Sequence, residues 1–121
     1  MSRKNLKTNP ILITLIHELK KKAEENDTQL WKDIALRLEK PSRNWAEVNL
    51  GKISKNLDDK EIAVVPGKVL STGNVDKKIK VAAWDFSDKA IEKIEKAGGK
   101  HMNIKELLDK NPKGENVRIM G

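Results

Sequence analysis

The sequence lacks cysteine altogether and is poor in aromatic residues, with three Trp, one Phe and no Tyr. The absence of cysteine excludes disulfide bonds, metal–thiolate sites and a cysteine nucleophile. No apolar run approaches the roughly 18 residues that a membrane-spanning helix needs, and the chain does not begin with a charged and then apolar leader. We therefore expect a soluble intracellular protein rather than a membrane or secreted one.

Charged residues dominate what is present. The 121 residues include 25 Lys and Arg against 18 Asp and Glu, which gives a formal net charge of +7. Charged residues make up 36% of the chain and hydrophobic residues only 37%, so we expect a small core. A basic excess of this size is compatible with a polyanionic partner but does not identify one.

The length predicts one domain over residues 1–121, because domains typically contain about 100–150 residues. No internal repeat, low-complexity tract or Ser/Gly-rich linker marks a second domain. Local patterns divide the chain into a basic lead over 1–9, a helical part over 10–57 and a mixed α/β part over 61–121.

The helical part begins at Asn9-Pro10, where Asn suits a helix cap and Pro the first helical position. The apolar spacing predicts a helix from there to about residue 26. A second helix, capped at Asp27-Thr28 and ended by Pro41, buries Trp31 on its apolar stripe. Residues 40–50 predict an irregular connection, and a short third helix follows.

From residue 61 onward the pattern changes to short strands and helices. Strands are predicted over 62–65, 68–70 and 79–84, with a turn at Pro66-Gly67 between the first two. Ser87 and Asp88 open a helix that Gly98-Gly99 ends, and a small helix over 103–109 precedes a basic C-terminal strand or tail. The order of elements predicts an α/β or α+β sandwich.

Catalytic patterns are weak. No phosphate-binding or dinucleotide-binding glycine motif is present, and the two histidines, His17 and His101, lie far apart, so we predict neither a metal nor a cofactor. A small hydrolase or transferase using Asp85, Asp88 and His101 is the enzyme alternative. Ser and Asp at a helix start are more typical of caps, so we predict no enzyme.

Three basic groups are the stronger signal. The first is the lead, a short cationic segment that cannot fold alone and would order against phosphates, or else be a solvated terminus. The second follows the second helix, where Arg can fork onto phosphates and Trp can stack on bases, unless the group is only a solvated helix end. The third lies on a predicted β-hairpin, whose lysines would bind phosphates or protect a sheet edge.

The predicted nucleic-acid-binding residues come from these groups and their neighbours. They are Arg3, Lys4, Lys7, Thr8 and Asn9; Arg37, Lys40, Ser42, Arg43, Asn44, Trp45, Asn49 and Lys52; and Lys68, Ser71, Thr72, Lys77, Lys78 and Lys80.

Three stretches resemble a known family. They are Lys-Thr-Asn-Pro at 7–10, Lys-Pro-Ser-Arg-Asn-Trp-Ala-Glu-Val-Asn-Leu at 40–50, and Pro-Gly-Lys-Val-Leu-Ser-Thr-Gly at 66–73 followed by Val-Ala-Ala-Trp-Asp-Phe-Ser at 81–87 with Ala90 and Gly98-Gly99. Together they are similar to the archaeal and eukaryotic large-subunit ribosomal protein family L18e, a relative of bacterial ribosomal protein L15. The length is that of the archaeal members.

The resemblance implies a compact α/β domain of irregular β-β-α units with N-terminal helices appended. It also implies binding to large-subunit ribosomal RNA, neighbouring ribosomal proteins as partners, a location in the cytoplasmic ribosome, and no enzyme activity, small-molecule substrate or membrane. We expect contacts mainly to backbone phosphates and RNA shape. A free, basic RNA- or DNA-binding regulatory module is the alternative.

Overall fold

The computed structural model describes residues 9–121, which form five α-helices and five β-strands. The helices are α1 (Pro10–Glu25), α2 (Gln29–Glu39), α3 (Leu50–Asn56), α4 (Asp88–Lys96) and α5 (Ile104–Lys110). The strands are β1 (Ala46–Asn49), β2 (Ile62–Leu70), β3 (Lys80–Phe86), β4 (Lys100–Asn103) and β5 (Val117–Ile119). A 3₁₀ turn over Ser42–Asn44 links α2 to β1.

The helix boundaries follow from their caps. The Asn9 side chain accepts a hydrogen bond from the Ile11 backbone N–H at 2.9 Å, and the Thr28 hydroxyl caps α2 through the Leu30 N–H at 3.3 Å. Ser87 caps α4 in the same way, and Gly98, with φ of +80°, ends it. These boundaries confirm the predicted helices, because a side-chain oxygen at each start satisfies an otherwise unpaired helix amide.

The described strands form one sheet in which every pairing is parallel. The order is β1-β2-β3-β4, and β5 pairs with the first half of β2 while β1 pairs with its second half. The segment 71–79 therefore carries the chain from the carboxyl end of β2 back to the amino end of β3. The predicted β-hairpin is wrong, since strands joined by a hairpin would be antiparallel.

Two further local predictions are wrong. The Pro66-Gly67 turn does not form, because β2 continues through both residues with a register shift between Val65 and Lys68. Such irregularities are where strands tolerate Pro and Gly. Gly67 allows a close strand approach, since a Cβ there would lie 2.0 Å from the Ala46 carbonyl oxygen. The connection predicted as irregular also contains β1.

Helices cover both faces of the sheet. One face packs Val64 and Ala82 against α1, α2 and α5, and this cluster contains Trp31, which is fully buried as predicted. The other face packs Ala63, Val65 and neighbouring strand residues against α3 and α4. The mixed α/β class predicted from the sequence is confirmed, and the N-terminal helices form part of one covering layer.

Candidate nucleic-acid interface

The turn after α2 is held by its own backbone. Pro41 favours an extended conformation at Lys40, which has φ of −68° and ψ of 157°, so the helix stops there. The Trp45 N–H donates to the Ser42 carbonyl at 3.0 Å, and the Trp45 indole N–H donates to the Lys40 carbonyl at 3.0 Å. The side chains of this turn are therefore presented on a fixed backbone.

This turn meets β2 and β3 at a cavity of about 300 Å³, which we name the tryptophan corner. Its lining residues are Ser42, Arg43, Trp45, Ala46, Glu47, Gly67, Lys68, Trp84 and Asp85. The two indoles pack edge to face, with ring centroids 5.8 Å apart and planes at 75°. The fold thus joins residues of the second and third predicted groups, and adds Trp84, which is not among the predicted residues.

Charges in the tryptophan corner are balanced in sign. Lys68 Nζ lies 3.9 Å from an Asp85 carboxylate oxygen, and Asp85 also accepts a hydrogen bond from the Phe86 N–H at 2.9 Å. Glu47 is a second carboxylate on the lining. Arg43 is exposed and has no ion pair or side-chain hydrogen bond within residues 9–121. Its planar guanidinium is therefore available to bind a phosphate in bidentate geometry.

A second set of predicted residues lies at the carboxyl edge of the sheet. The Gly51 N–H donates to the Thr72 carbonyl at 2.9 Å, which brings the start of α3 against the loop after β2. Lys93 reinforces that loop by donating to the Ser71 and Gly73 carbonyls at 2.7 and 3.0 Å. The side chains of Asn49, Lys52 and Thr72 are exposed beside it.

Three of the predicted lysines lie at the opposite edge, just before or at the start of β3. Lys77 donates to the Leu57 carbonyl and is half-buried, so it also holds the fold together. Lys78 is exposed, and its alkyl chain lies beside Gly98. Lys80 is also exposed, and its Cα partner across the parallel pairing of β3 and β4 is Lys100.

Lys78, Lys80 and Lys100 are named here the amino-edge lysines. None of the three forms an ion pair in the part of the chain that the structure describes. Like charges facing each other across two strands repel. Sequence reasoning missed Lys100, because only the β3–β4 register places it beside Lys80.

The third predicted group is therefore divided between two edges. Ser71 and Thr72 follow the carboxyl end of β2, whereas Lys77, Lys78 and Lys80 precede or begin β3 at its amino end. β3 has seven residues, so at about 3.3 Å per residue the two edges are about 20 Å apart.

Other predicted residues have structural partners or lie outside the described chain. Arg37 donates from Nε to Asp33 at 3.1 Å and from Nη1 to the Gly121 carbonyl at 3.3 Å. Lys40 is exposed and Asn9 caps α1. Four residues of the basic lead lie outside the described residues, namely Arg3, Lys4, Lys7 and Thr8.

The residues of the enzyme alternative have ordinary structural surroundings. Asp85 contacts Lys68, and Asp88 lies in the first turn of α4. His101 lies 3.4 Å from a Glu95 carboxylate oxygen and packs against the Phe86 ring. Within residues 9–121 no group of three or more His, Cys, Asp or Glu side chains is arranged to hold a metal ion, and no helix there is long and apolar enough to span a membrane.

One lysine outside the predicted set has a shifted pKa. Hydrogen bonds to Glu18 and Asp109 raise the pKa of Lys105 above its ordinary value. The bond to Asp109 spans 3.1 Å between α5 residues four positions apart, whereas Glu18 belongs to α1. This network links α1 to α5 on the layer that also contains α2.

Sequence comparisons relate the chain to one family of known proteins. The protein family described as Ribosomal protein 60S L18 and 50S L18e matches residues 1–121. The chain belongs to this family. It is 46% identical over 120 residues to the Large ribosomal subunit protein eL18 of Methanothermobacter thermautotrophicus, and the match covers 99% of each chain. The family resemblance inferred from the sequence motifs is thereby confirmed.

Two further archaeal relatives have the same name. The protein of Archaeoglobus fulgidus is 52% identical over 114 residues, which cover 94% of this chain and 97% of the relative. That of Methanospirillum hungatei is 48% identical over 120 residues, or 99% of each chain. The chain therefore matches members of the L18e family along nearly their whole length.

Proposed function

We propose that this protein is a structural constituent of the large subunit of the cytoplasmic ribosome. The observation that carries the proposal is the family match over residues 1–121, together with relatives named as large ribosomal subunit proteins. In this role the protein binds folded large-subunit ribosomal RNA and neighbouring ribosomal proteins. It acts by neutralising phosphates and holding RNA segments in place, rather than by catalysis.

The tryptophan corner is one proposed RNA contact. Arg43 binds a phosphate through two N–H groups, while Ser42 and Asn44 add hydrogen bonds from a turn whose backbone is already fixed. Because the lining contains both signs of charge, attraction by net charge contributes little here. The corner instead favours RNA whose backbone shape brings a phosphate to Arg43.

The amino-edge lysines are the second proposed contact. A phosphate between Lys80 and Lys100 relieves the repulsion between two ammonium groups on adjacent strands. Flexible lysines accept many phosphate positions, so this surface contributes affinity with little selectivity. Its distance from the carboxyl edge, about 20 Å, allows the protein to hold two separate stretches of RNA.

We also propose the other predicted residues as RNA contacts, with smaller contributions to affinity. Lys77 and Arg37 already have partners within the protein, so their phosphate contacts compete with those bonds. Asn49, Lys52, Ser71 and Thr72 would contribute at the carboxyl edge. The basic lead and Asn9, with Lys40 and Lys68, complete the proposed RNA-binding set.

Sedimentation tests the proposal directly. The tagged full-length chain should be recovered in large subunits after they are washed in high salt and separated on a sucrose gradient. A variant with Arg43, Lys80 and Lys100 all changed to alanine should be depleted from the same fraction. Absence of the unchanged protein from washed subunits, with equal binding to unrelated RNA and DNA duplexes, would instead favour the free regulatory module.

A further inference from the structure

An apolar groove lies beside the tryptophan corner, between α1, β3 and the start of α5. Its volume is about 490 Å³, within the range of about 300–1,000 Å³ that small-ligand sites occupy. The lining residues are Pro10, Ile11, Thr14, Leu15, Glu18, Trp84, Asn103, Ile104 and Lys105. Ile11 leaves 73% of its surface exposed, so the rim presents an uncovered aliphatic side chain.

The lining of this groove has little net charge. Glu18 and Lys105, its two charged residues, form an ion pair with each other. The Asn103 side-chain oxygen accepts a hydrogen bond from the Glu106 N–H at 2.8 Å, while the Asn103 NH₂ group has no partner among residues 9–121. An uncharged, flat ligand with hydrogen-bond acceptors on its edge fits these surroundings.

Trp84 connects the groove to the tryptophan corner, since it lines both cavities. A ligand that lies in the groove against Trp84 is therefore adjacent to Arg43 and Lys68, which line the corner. A nucleotide has this combination, with a flat base and a neighbouring anionic phosphate. Unpaired RNA bases are commonly recognised by stacking on aromatic side chains and by hydrogen bonds to their edges.

We propose that the groove binds one unpaired base of the RNA, stacked on Trp84, while the adjoining phosphate lies at Arg43 in the tryptophan corner. The proposal rests on the proposed function and extends it from phosphate binding to the recognition of a bulged or looped nucleotide. The Asn103 NH₂ group donates to the edge of that base. An apolar side chain from a neighbouring protein could fill the apolar groove, but it would provide no anion to bind Arg43.

A crosslinking experiment identifies the occupant. Because the chain has no cysteine, Thr14→Cys creates a single attachment site for an aryl azide on the groove lining. Washed large subunits that contain the labelled protein are irradiated, and reverse transcription locates crosslinks in the ribosomal RNA. We expect one dominant crosslink at an unpaired nucleotide, and none there from the control Lys32→Cys on the exposed surface of α2.

A crosslink to another protein, to residues 1–8 of the same chain or to paired nucleotides would overturn the proposal. Failure of the protein to enter large subunits would instead contradict the proposed function, so the two failures are distinguishable.

Affinity measurements provide the second test. An RNA fragment containing the crosslinked nucleotide is compared with the same fragment carrying an abasic residue at that position. Loss of a stacked base should weaken binding of the unchanged protein about tenfold or more. Ile11→Asp should weaken binding to the intact fragment to a similar extent. Replacing the base with the abasic residue should then weaken the binding of this variant little further.

Leu36→Asp is the matched control, because it places the same charge on an exposed apolar position of α2 outside the groove. Asp in the first turn of α1 should not harm folding, since a carboxylate there interacts favourably with the helix dipole. Equal losses from Ile11→Asp and Leu36→Asp would attribute the effect to charge alone and overturn the proposal.

Discussion

The tryptophan corner and the amino-edge lysines differ in how they can bind RNA. The corner combines a fixed turn, two packed indoles and charges of both signs around Arg43, which has no partner within residues 9–121. The amino edge has three exposed lysines, none of which forms an ion pair among the described residues. The difference supports the proposal that shape at the tryptophan corner provides selectivity, whereas charge at the amino edge provides affinity.

The largest expected effect comes from disturbing the backbone under one surface at a time. In Gly67→Ala the new Cβ would lie 2.0 Å from the Ala46 carbonyl oxygen, so β1 must shift away from β2 at the corner. We expect the free energy of unfolding to fall by about 1–3 kcal/mol. Urea denaturation measures the decrease.

Gly99→Ala is the counterpart at the amino edge, where the Cβ would meet the Ile79 carbonyl oxygen at 2.3 Å. In RNA footprints, each variant should lose the protections made by its own surface and retain those made by the other. Identical footprints from the two variants would contradict the separation of the surfaces.

Next in size is the removal of charge from the amino edge. Lys80→Ala combined with Lys100→Ala should reduce the slope of log affinity against log salt by about 0.7–0.9 for each phosphate that is no longer neutralised. Lys32→Ala is the control, since this exposed lysine of α2 lies outside the proposed RNA-binding set. A salt slope unchanged in the double variant would exclude these lysines as phosphate-binding groups.

A surface could be predicted from the sequence to the extent that its residues lie close together along the chain. The turn of the tryptophan corner lies within residues 40–50, so Arg43 and Trp45 could be identified from adjacent residues. Its other wall, formed by Lys68 and Trp84, depends on the parallel pairing of β2 with β3. The Lys80–Lys100 pair depends wholly on strand register between residues twenty positions apart, which no local pattern reveals.

The secondary structure could likewise be predicted reliably only where neighbouring residues determine it. Caps such as Asn9 and Ser87 act on the next turn of chain, so the helices could be placed within a few residues. Pro66-Gly67 has the composition of a turn, but β1 packs close enough to require glycine inside a continuous strand. Tertiary packing therefore overrides the local signal there, and with it the expected hairpin.

A smaller effect distinguishes the side-chain chemistry of the two surfaces. Arg43→Lys should weaken binding several-fold, because an ammonium cannot replace the bidentate geometry of guanidinium. Lys80→Arg should leave the affinity unchanged, since that surface requires only positive charge. Titration of an RNA fragment with both variants at one salt concentration measures the difference, and equal decreases in affinity would contradict the assigned roles.

The smallest effect concerns Lys105, which lies outside both surfaces. Since its folded-state pKa is raised by Glu18 and Asp109, the ion pairs contribute stability that is present below the unfolded pKa and lost as pH rises through the folded one. Thermal melts of the protein and of Lys105→Gln should therefore differ slightly at pH 7–9 and converge only above about pH 10.5, as the pH passes the raised pKa of the folded state. A difference that grows at high pH would contradict this assignment.

Lysine acetylation inside the large subunit tests the central claim most directly. Washed subunits and the isolated protein are treated with the same reagent, and mass spectrometry compares the reactivity of each lysine. We predict strong protection of Lys68, Lys80 and Lys100 in the subunit, while Lys32 on α2 reacts as it does in the isolated protein. Equal reactivity of all four lysines in both samples would contradict RNA binding through two separate surfaces.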